Sequence, residues 1–177
     1  MVEELIRSGI SEELIILIVS ALPIVELRGA LPIAINLFNI PWYWALCLAV
    51  IGSLLPVPFL LLFLESLAKG ISRTDRGKKL VDRVFWRTRQ RGAVIERYQK
   101  IGLALFVAIP LPMTGVWTGS IAAFVFGLKP KHALLSILFG VIIAGAIVTS
   151  LCLLGWLGAV LAGVGLASLA VLGLWRI

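Results

Sequence analysis

Between Leu14 and Leu64 the chain is apolar apart from a few small polar residues and two charges, Glu26 and Arg28. A basic stretch follows. Apolar residues then resume at Ile101 and continue to Trp175, interrupted by charge or imidazole at Lys129, Lys131 and His132. These runs are continuous rather than alternating, the pattern of helices that cross a bilayer and not of barrel strands. Prolines divide the first run. Leu14–Val25 is 12 residues; as a helix it rises about 18 Å, short of a hydrocarbon core of about 30 Å. Pro23, Gly29 and Pro32 bracket the two charges and predict a break over Glu26–Pro32, after which Ile33–Phe38 forms a second short arm. Pro41 opens a helix of 24 residues to Leu64, long enough to span. Trp42, Tyr43 and Trp44 give it an interfacial aromatic cluster, and Pro56 and Pro58 predict a kink.

The same order recurs one half-chain later. Ile101–Ile109 is a short arm, Pro110–Gly119 a second break, and Val116–Leu128 a further arm. Lys129-Pro130-Lys131 then precedes a charge-free run of 43 residues, Ala133–Trp175. That run suffices for two spans with a turn at Gly155-Trp156-Leu157-Gly158. Ser136, Gly140 and Ala144 recur every four residues, as do Gly155, Ala159, Gly163 and Ala167. Small residues at that spacing let membrane helices approach closely, so both stripes read as packing seams.

Charge decides the sidedness. Eleven Lys and Arg lie between Glu65 and Lys100 against four acids, in a chain whose net charge is +7. Basic density between apolar segments marks the cytoplasmic side. If both broken segments are re-entrant, the acidic N-terminus lies outside, while the basic segment, Lys129, Lys131 and Arg176 all lie inside. The expected fold is therefore an all-α integral membrane protein, residues 1–177 as one domain in the cell (inner) membrane. An amphipathic lead-in (1–13) precedes a first repeat (14–64), a basic amphipathic cytoplasmic segment (65–100), a second repeat (101–154) and a C-terminal transmembrane helix (156–176). Each repeat is a re-entrant helical hairpin followed by a transmembrane helix. The two are oppositely oriented, an inverted repeat with the site expected where the tips meet. Within the basic segment Lys78, Lys79, Arg83, Arg87 and Arg89 flank an apolar face of Leu80, Val81, Val84 and Phe85, the pattern of a helix lying on anionic headgroups of the cytoplasmic leaflet.

Composition agrees, at 60% hydrophobic and a mean hydropathy of +1.07, against about 45–50% apolar for soluble domains. Acids at Glu3, Glu4, Glu12 and Glu13 stand where a cleavable signal needs basic residues. Cys47 and Cys152 lie inside apolar helices with no metal-ligand spacing. No Ser/His/Asp set, metal cluster or phosphate loop with lysine is visible, so no enzyme, cofactor or metal is expected. The membrane explains the basic segment without nucleic acid. A second copy of the chain is a candidate partner.

Charges inside a bilayer are costly and mark function by default. Glu26 is the candidate proton carrier and Arg28 the candidate contact for an anionic group. Thr114 and Thr118 add hydroxyls, and Gly29 and Gly115 give the backbone room. The same pair would also serve simply to hold a broken helix together, since removing one partner of a buried pair is strongly destabilising. Both readings stay open.

Three motifs carry a resemblance: Glu26-Leu27-Arg28-Gly29-Ala30-Leu31-Pro32, the stretch from Gly102 to Pro112, and Thr114-Gly115-Val116-Trp117-Thr118-Gly119. Together they resemble the small multidrug export protein family, which is similar to a distant branch of the DedA/VTT membrane proteins. Met113 departs from the small residue of that pattern. The resemblance implies paired re-entrant hairpins and proton-linked movement of an amphipathic solute or a phosphate-bearing lipid carrier. Of the residues that DedA-type relatives keep in the membrane, an acid and an arginine, it carries over only to Glu26 and Arg28.

Overall fold

The computed structural model of the chain describes residues 10–71, 93–110 and 114–155, and beyond these residues 157, 158, 160, 163–165 and 168. The lead-in up to residue 9, the basic face of Lys78, Lys79, Arg83, Arg87 and Arg89, the tip at 111–113 and most of 156–176 lie outside the described residues.

Every regular element among the described residues is helical, as the continuous apolar runs predict. Helix α1 (Glu12–Ala21) ends because Pro23 follows it. Leu22, the residue before that proline, takes an extended backbone, φ −69° and ψ 140°, the region into which a proline ring drives its predecessor. A turn leads into α2 (Glu26–Pro32), which continues as a π-helical turn over Ile33–Leu37. The structure thus corrects the expected position of the break. Glu26–Pro32 is itself helical, the break precedes it, and the second arm starts at Glu26 rather than Ile33. Pro32 supplies no N–H and crowds the turn before it. The chain absorbs this by widening, with the Phe38 N–H donating to the Ile33 carbonyl at 3.1 Å.

Helices α3 (Trp42–Leu54) and α4 (Pro56–Ile71) meet at Leu55, whose backbone stays helical at φ −56° and ψ −43°. Together they give one apolar helix of 26 residues, Trp42–Leu67. Helix α5 (Ala93–Ala108) precedes the second break, and α6 (Val116–Val125) follows it. Since α4 runs on to Ile71 and α5 begins at Ala93, helices enter the expected basic segment from both ends. Gly127, at φ +66°, closes α6 by letting the Leu128 N–H return to the Ala123 carbonyl at 3.0 Å, the left-handed cap that glycine favours. Pro130 then starts α7 (Pro130–Leu153), whose end at Gly155, φ +58°, falls where the sequence places a turn.

The two long helices, of 26 and 24 residues, each reach a mean hydropathy of 2.5. At about 1.5 Å per residue they measure about 39 and 36 Å, enough for a core of about 30 Å. Their outer faces carry large apolar side chains: Phe59, Leu62, Phe63 and Phe139 are 59–70% exposed. The core helix of a water-soluble protein hides such residues, and a contiguous apolar exterior calls for lipid or a partner.

Short and long helices pack in an exchanged pattern. Helix α1 lies on α3 and α5 on α7, while α2 reaches across to α7 and α6 to α4. Helices α3 and α7 run antiparallel. Gly145 faces Leu46 and Val50, whereas Val141 and Ala144, earlier in α7, line one cavity with Ser53, later in α3. Glycine sets the spacing within each pair. A Cβ on Gly52 would overlap Ser20 Oγ and stand 2.6 Å from the Leu17 carbonyl of α1, and one on Gly140 would stand 2.7 Å from the Ala104 carbonyl of α5. The Ser136, Gly140, Ala144 stripe is accordingly a buried seam. Gly155 and Gly163 face open space instead, so among the described residues the second stripe is not a seam.

Gly52→Ala is therefore expected to destabilise the protein by about 1–3 kcal/mol, as overpacking against a backbone does. Gly102→Ala, where a Cβ meets nothing within 4 Å, is expected to be neutral or slightly stabilising. Paired melting curves in detergent check this; equal melting temperatures for the two variants would refute it.

Candidate functional site

The two breaks come together. Glu26 is the first residue of α2 and has φ +48°, a left-handed backbone that costs a non-glycine residue about 1–3 kcal/mol and tends to occur at functional sites. On a regular helix positions i and i+2 do not face each other. The irregular backbone at Glu26 lets them meet, and Arg28 Nη1 donates to Glu26 Oε2 at 3.1 Å. Both side chains are withdrawn from the surface, Glu26 at 9% and Arg28 at 18% exposure.

Their remaining partners belong to the other half of the chain. Arg28 Nη2 lies 3.3 Å from the Val107 carbonyl, 3.0 Å from that of Ile109, and 3.1 Å from both the carbonyl and Oγ1 of Thr114. Two hydrogens are thus shared among four acceptors. The Thr114 hydroxyl donates in turn to the Ile109 carbonyl at 2.8 Å, which leaves its lone pairs free to accept from Arg28. The backbone N–H groups of Val116 and Trp117 donate to the Glu26 carboxylate. A Cβ on Gly115 would overlap that carboxylate, so the glycine is there for space. The anion therefore sits at the N-terminus of α6 and the cation at the C-terminal end of α5, each against the helix end of opposite partial charge.

Depth is readable from the long helices. The cavity beside the pair is lined by Glu26, Arg28, Gly115, Ser53 and Val141, among others. Ser53 is the twelfth of 26 residues in one long helix and Val141 the twelfth of 24 in the other. The charges thus lie halfway along both. The cavity is no larger than about one water molecule.

Of the residues that the sequence singles out, Glu26, Arg28, Thr114 and Gly115 converge. Thr118 does not join them; its hydroxyl donates to the Gly115 carbonyl at 3.3 Å within its own helix. A Cβ on Gly29 would strike only Val25 in its own turn, so Gly29 tightens α2 and forms no part of the site. The arm expected over Val116–Leu128 starts at Val116 as expected. Sequence reasoning missed Trp117, whose Nε1 donates to the Ala21 carbonyl at 3.2 Å. It also missed buried Ser53, whose hydroxyl donates to the Ser20 carbonyl at 3.1 Å. A lone hydroxyl in an apolar span was the available signal for Ser53. Backbone donors and acceptors such as Val107, Ile109 and Val116 leave no trace in side-chain chemistry.

A family model described as "Putative small multi-drug export protein" matches residues 26–147. Those 122 of 177 residues begin at Glu26 itself and include Arg28, Thr114, Gly115 and Trp117. No curated protein and no solved structure matches the chain.

Proposed function

Since the chain belongs to the small multi-drug export protein family, we propose that it is a proton-coupled membrane transporter, a flippase or exporter of an amphipathic anionic solute or lipid carrier. One observation carries this reading: a buried carboxylate and a half-buried guanidinium lie halfway along two membrane-length helices, where two interrupted segments meet. Interrupted helices that converge at mid-depth are the usual setting of a transporter site. In this reading Glu26 carries the proton, and Arg28 with the Thr114 hydroxyl receives the anionic group. The water-sized cavity is far below the about 300 Å³ of a small-molecule pocket, so in this reading the site widens to admit a substrate.

The proposal includes the membrane arrangement. Two re-entrant hairpins dip in from opposite faces as an inverted repeat. Supporting this, Trp44 Nε1 donates to Glu13 Oε1 at 3.3 Å, which puts the start of α1 beside the start of α3. The antiparallel run of α3 and α7 and the exchanged packing of the arms support it too. The positive-inside rule assigns segment 65–100 to the cytoplasmic face of the inner membrane, where anionic headgroups would meet it. The kinship with DedA/VTT proteins belongs to the same proposal. No catalytic step is assigned to the site.

A second reading has its own support. Among the described residues, every acceptor near Arg28 Nη2 lies at the end of α5 or in the break after it, as expected of a clamp that only holds the tips together. Glu26→Gln separates the two, because Gln keeps shape and hydrogen bonding but does not titrate. The expected result in vesicles is a folded protein whose uptake no longer responds to a pH gradient. A clamp would instead lose thermal stability and expression together, with uptake per folded molecule unchanged.

A further inference from the structure

Each hairpin sends one donor side chain across to the other. Arg28, the third residue of α2, reaches the carbonyls of Val107 and Ile109 at the end of α5. Trp117, the second residue of α6, reaches the carbonyl of Ala21, the last residue of α1. Both thus serve carbonyls that a helix terminus leaves without a partner within the helix. The two contacts occupy matching places in the two halves, and the long helices of those halves run in opposite directions. Glu26 stands between them, accepting from Arg28 Nη1 on one side and from the Trp117 backbone N–H on the other. The tight seams at Gly52 and Gly140 hold α1 to α3 and α5 to α7. What remains to separate is the contact between halves, and these two donors bridge it.

We propose that Trp117 is a second latch, the counterpart of Arg28, and that the two open one at a time, exposing the centre to opposite faces of the membrane. The indole is suited to this. It offers a single directional donor on a large apolar ring, so it can release a carbonyl without leaving a charge stranded in the bilayer. Arg28 needs a replacement partner when it lets go, and an anionic substrate supplies one. The proposal rests on the transporter reading and assigns that site its two gates.

The test uses the full chain in vesicles, with Cys47 and Cys152 replaced by Ala and one cysteine placed at Ala144, a buried residue lining the cavity. Labelling by a membrane-impermeant maleimide is followed from each face. Trp117→Phe keeps a ring and removes the donor. It is expected to raise labelling about fivefold from one face only, the population shift that follows from losing about one net hydrogen bond. Arg28→Lys, which keeps the charge but loses the planar fork, is expected to raise it from the opposite face. No rise with Trp117→Phe, a rise from both faces, or a rise from the same face in both variants overturns the proposal. General loosening falls among these, because it exposes the cysteine to both faces. Uptake by the wild type in the same vesicles tests the transporter reading separately. Uptake without sided labelling sinks the latches alone, whereas sided labelling without uptake keeps the latches and removes the transport.

Discussion

Arg28→Ala is expected to lower the unfolding free energy by about 3–5 kcal/mol, the usual result of stripping one partner from a buried ion pair. The change leaves Glu26, 9% exposed, without its cation. It also leaves the Val107, Ile109 and Thr114 carbonyls without their shared donor. The α5 end loses the positive charge that faces its dipole. Arg28→Lys retains charge and point donors, so it is expected to lose less stability than Ala while failing to span all four acceptors. A double change, Glu26→Gln with Arg28→Met, is expected to recover part of the loss, because removing both charges avoids an unpaired one. Chemical unfolding in detergent micelles measures all three. A loss below about 1 kcal/mol for Arg28→Ala, the level of an exposed pair, would show that the pair is solvated.

Gly115→Ala is expected to be nearly as severe, at about 2–4 kcal/mol, combining overpacking with displaced charge-assisted hydrogen bonds. The backbone of Gly115, φ −94°, is ordinary for any residue, so the effect comes from space alone. A methyl there would occupy the place of the Glu26 carboxylate. The carboxylate would have to leave the N–H groups of Val116 and Trp117 and drag its bond to Arg28 with it. In a Glu26→Ala background the obstacle is gone, and the same Gly115→Ala change is expected to be nearly silent. The two changes should therefore couple by about 1.5 kcal/mol or more in a double-mutant cycle. Additive effects would mean that the carboxylate and the glycine do not meet.

Much of this was legible in the chain itself. Uninterrupted apolar runs announce the two long helices, and a charge pair within such a run stands out because the bilayer penalises it. Glycine and proline clusters mark both breaks. Their exact placement was not legible, for a physical reason. Pro23 and Pro32 look alike in sequence. Pro23 drives Leu22 into an extended backbone and ends α1, whereas Pro32 is absorbed by a widened turn. Nothing local distinguishes the two; the packing of α2 against α7 and α3 favours keeping that arm helical. Thr118 was a reasonable candidate by type, yet a hydroxyl in a helix often bonds to its own backbone, and this one does. Trp117 reads as packing until its indole N–H is seen to end on the Ala21 carbonyl. Contacts made by backbone groups across the halves follow from the fold and not from residue identity.

The cross-half bonding of Glu26 and Arg28 also bears on how the chain is made. The acceptors that complete Arg28 are 79 to 86 positions further along. At about 5–20 residues per second, synthesis delivers them on the order of ten seconds later. Until then Glu26 and Arg28 have only each other, and the acceptors that complete Arg28 do not yet exist. Commitment to lipid at that stage would leave the guanidinium short of acceptors, so under the proposed membrane arrangement the first half has reason to wait at the headgroup layer until the second half arrives. Under the proposed membrane arrangement, entry of the two halves is then expected to be a single joint event, timed by the ribosome.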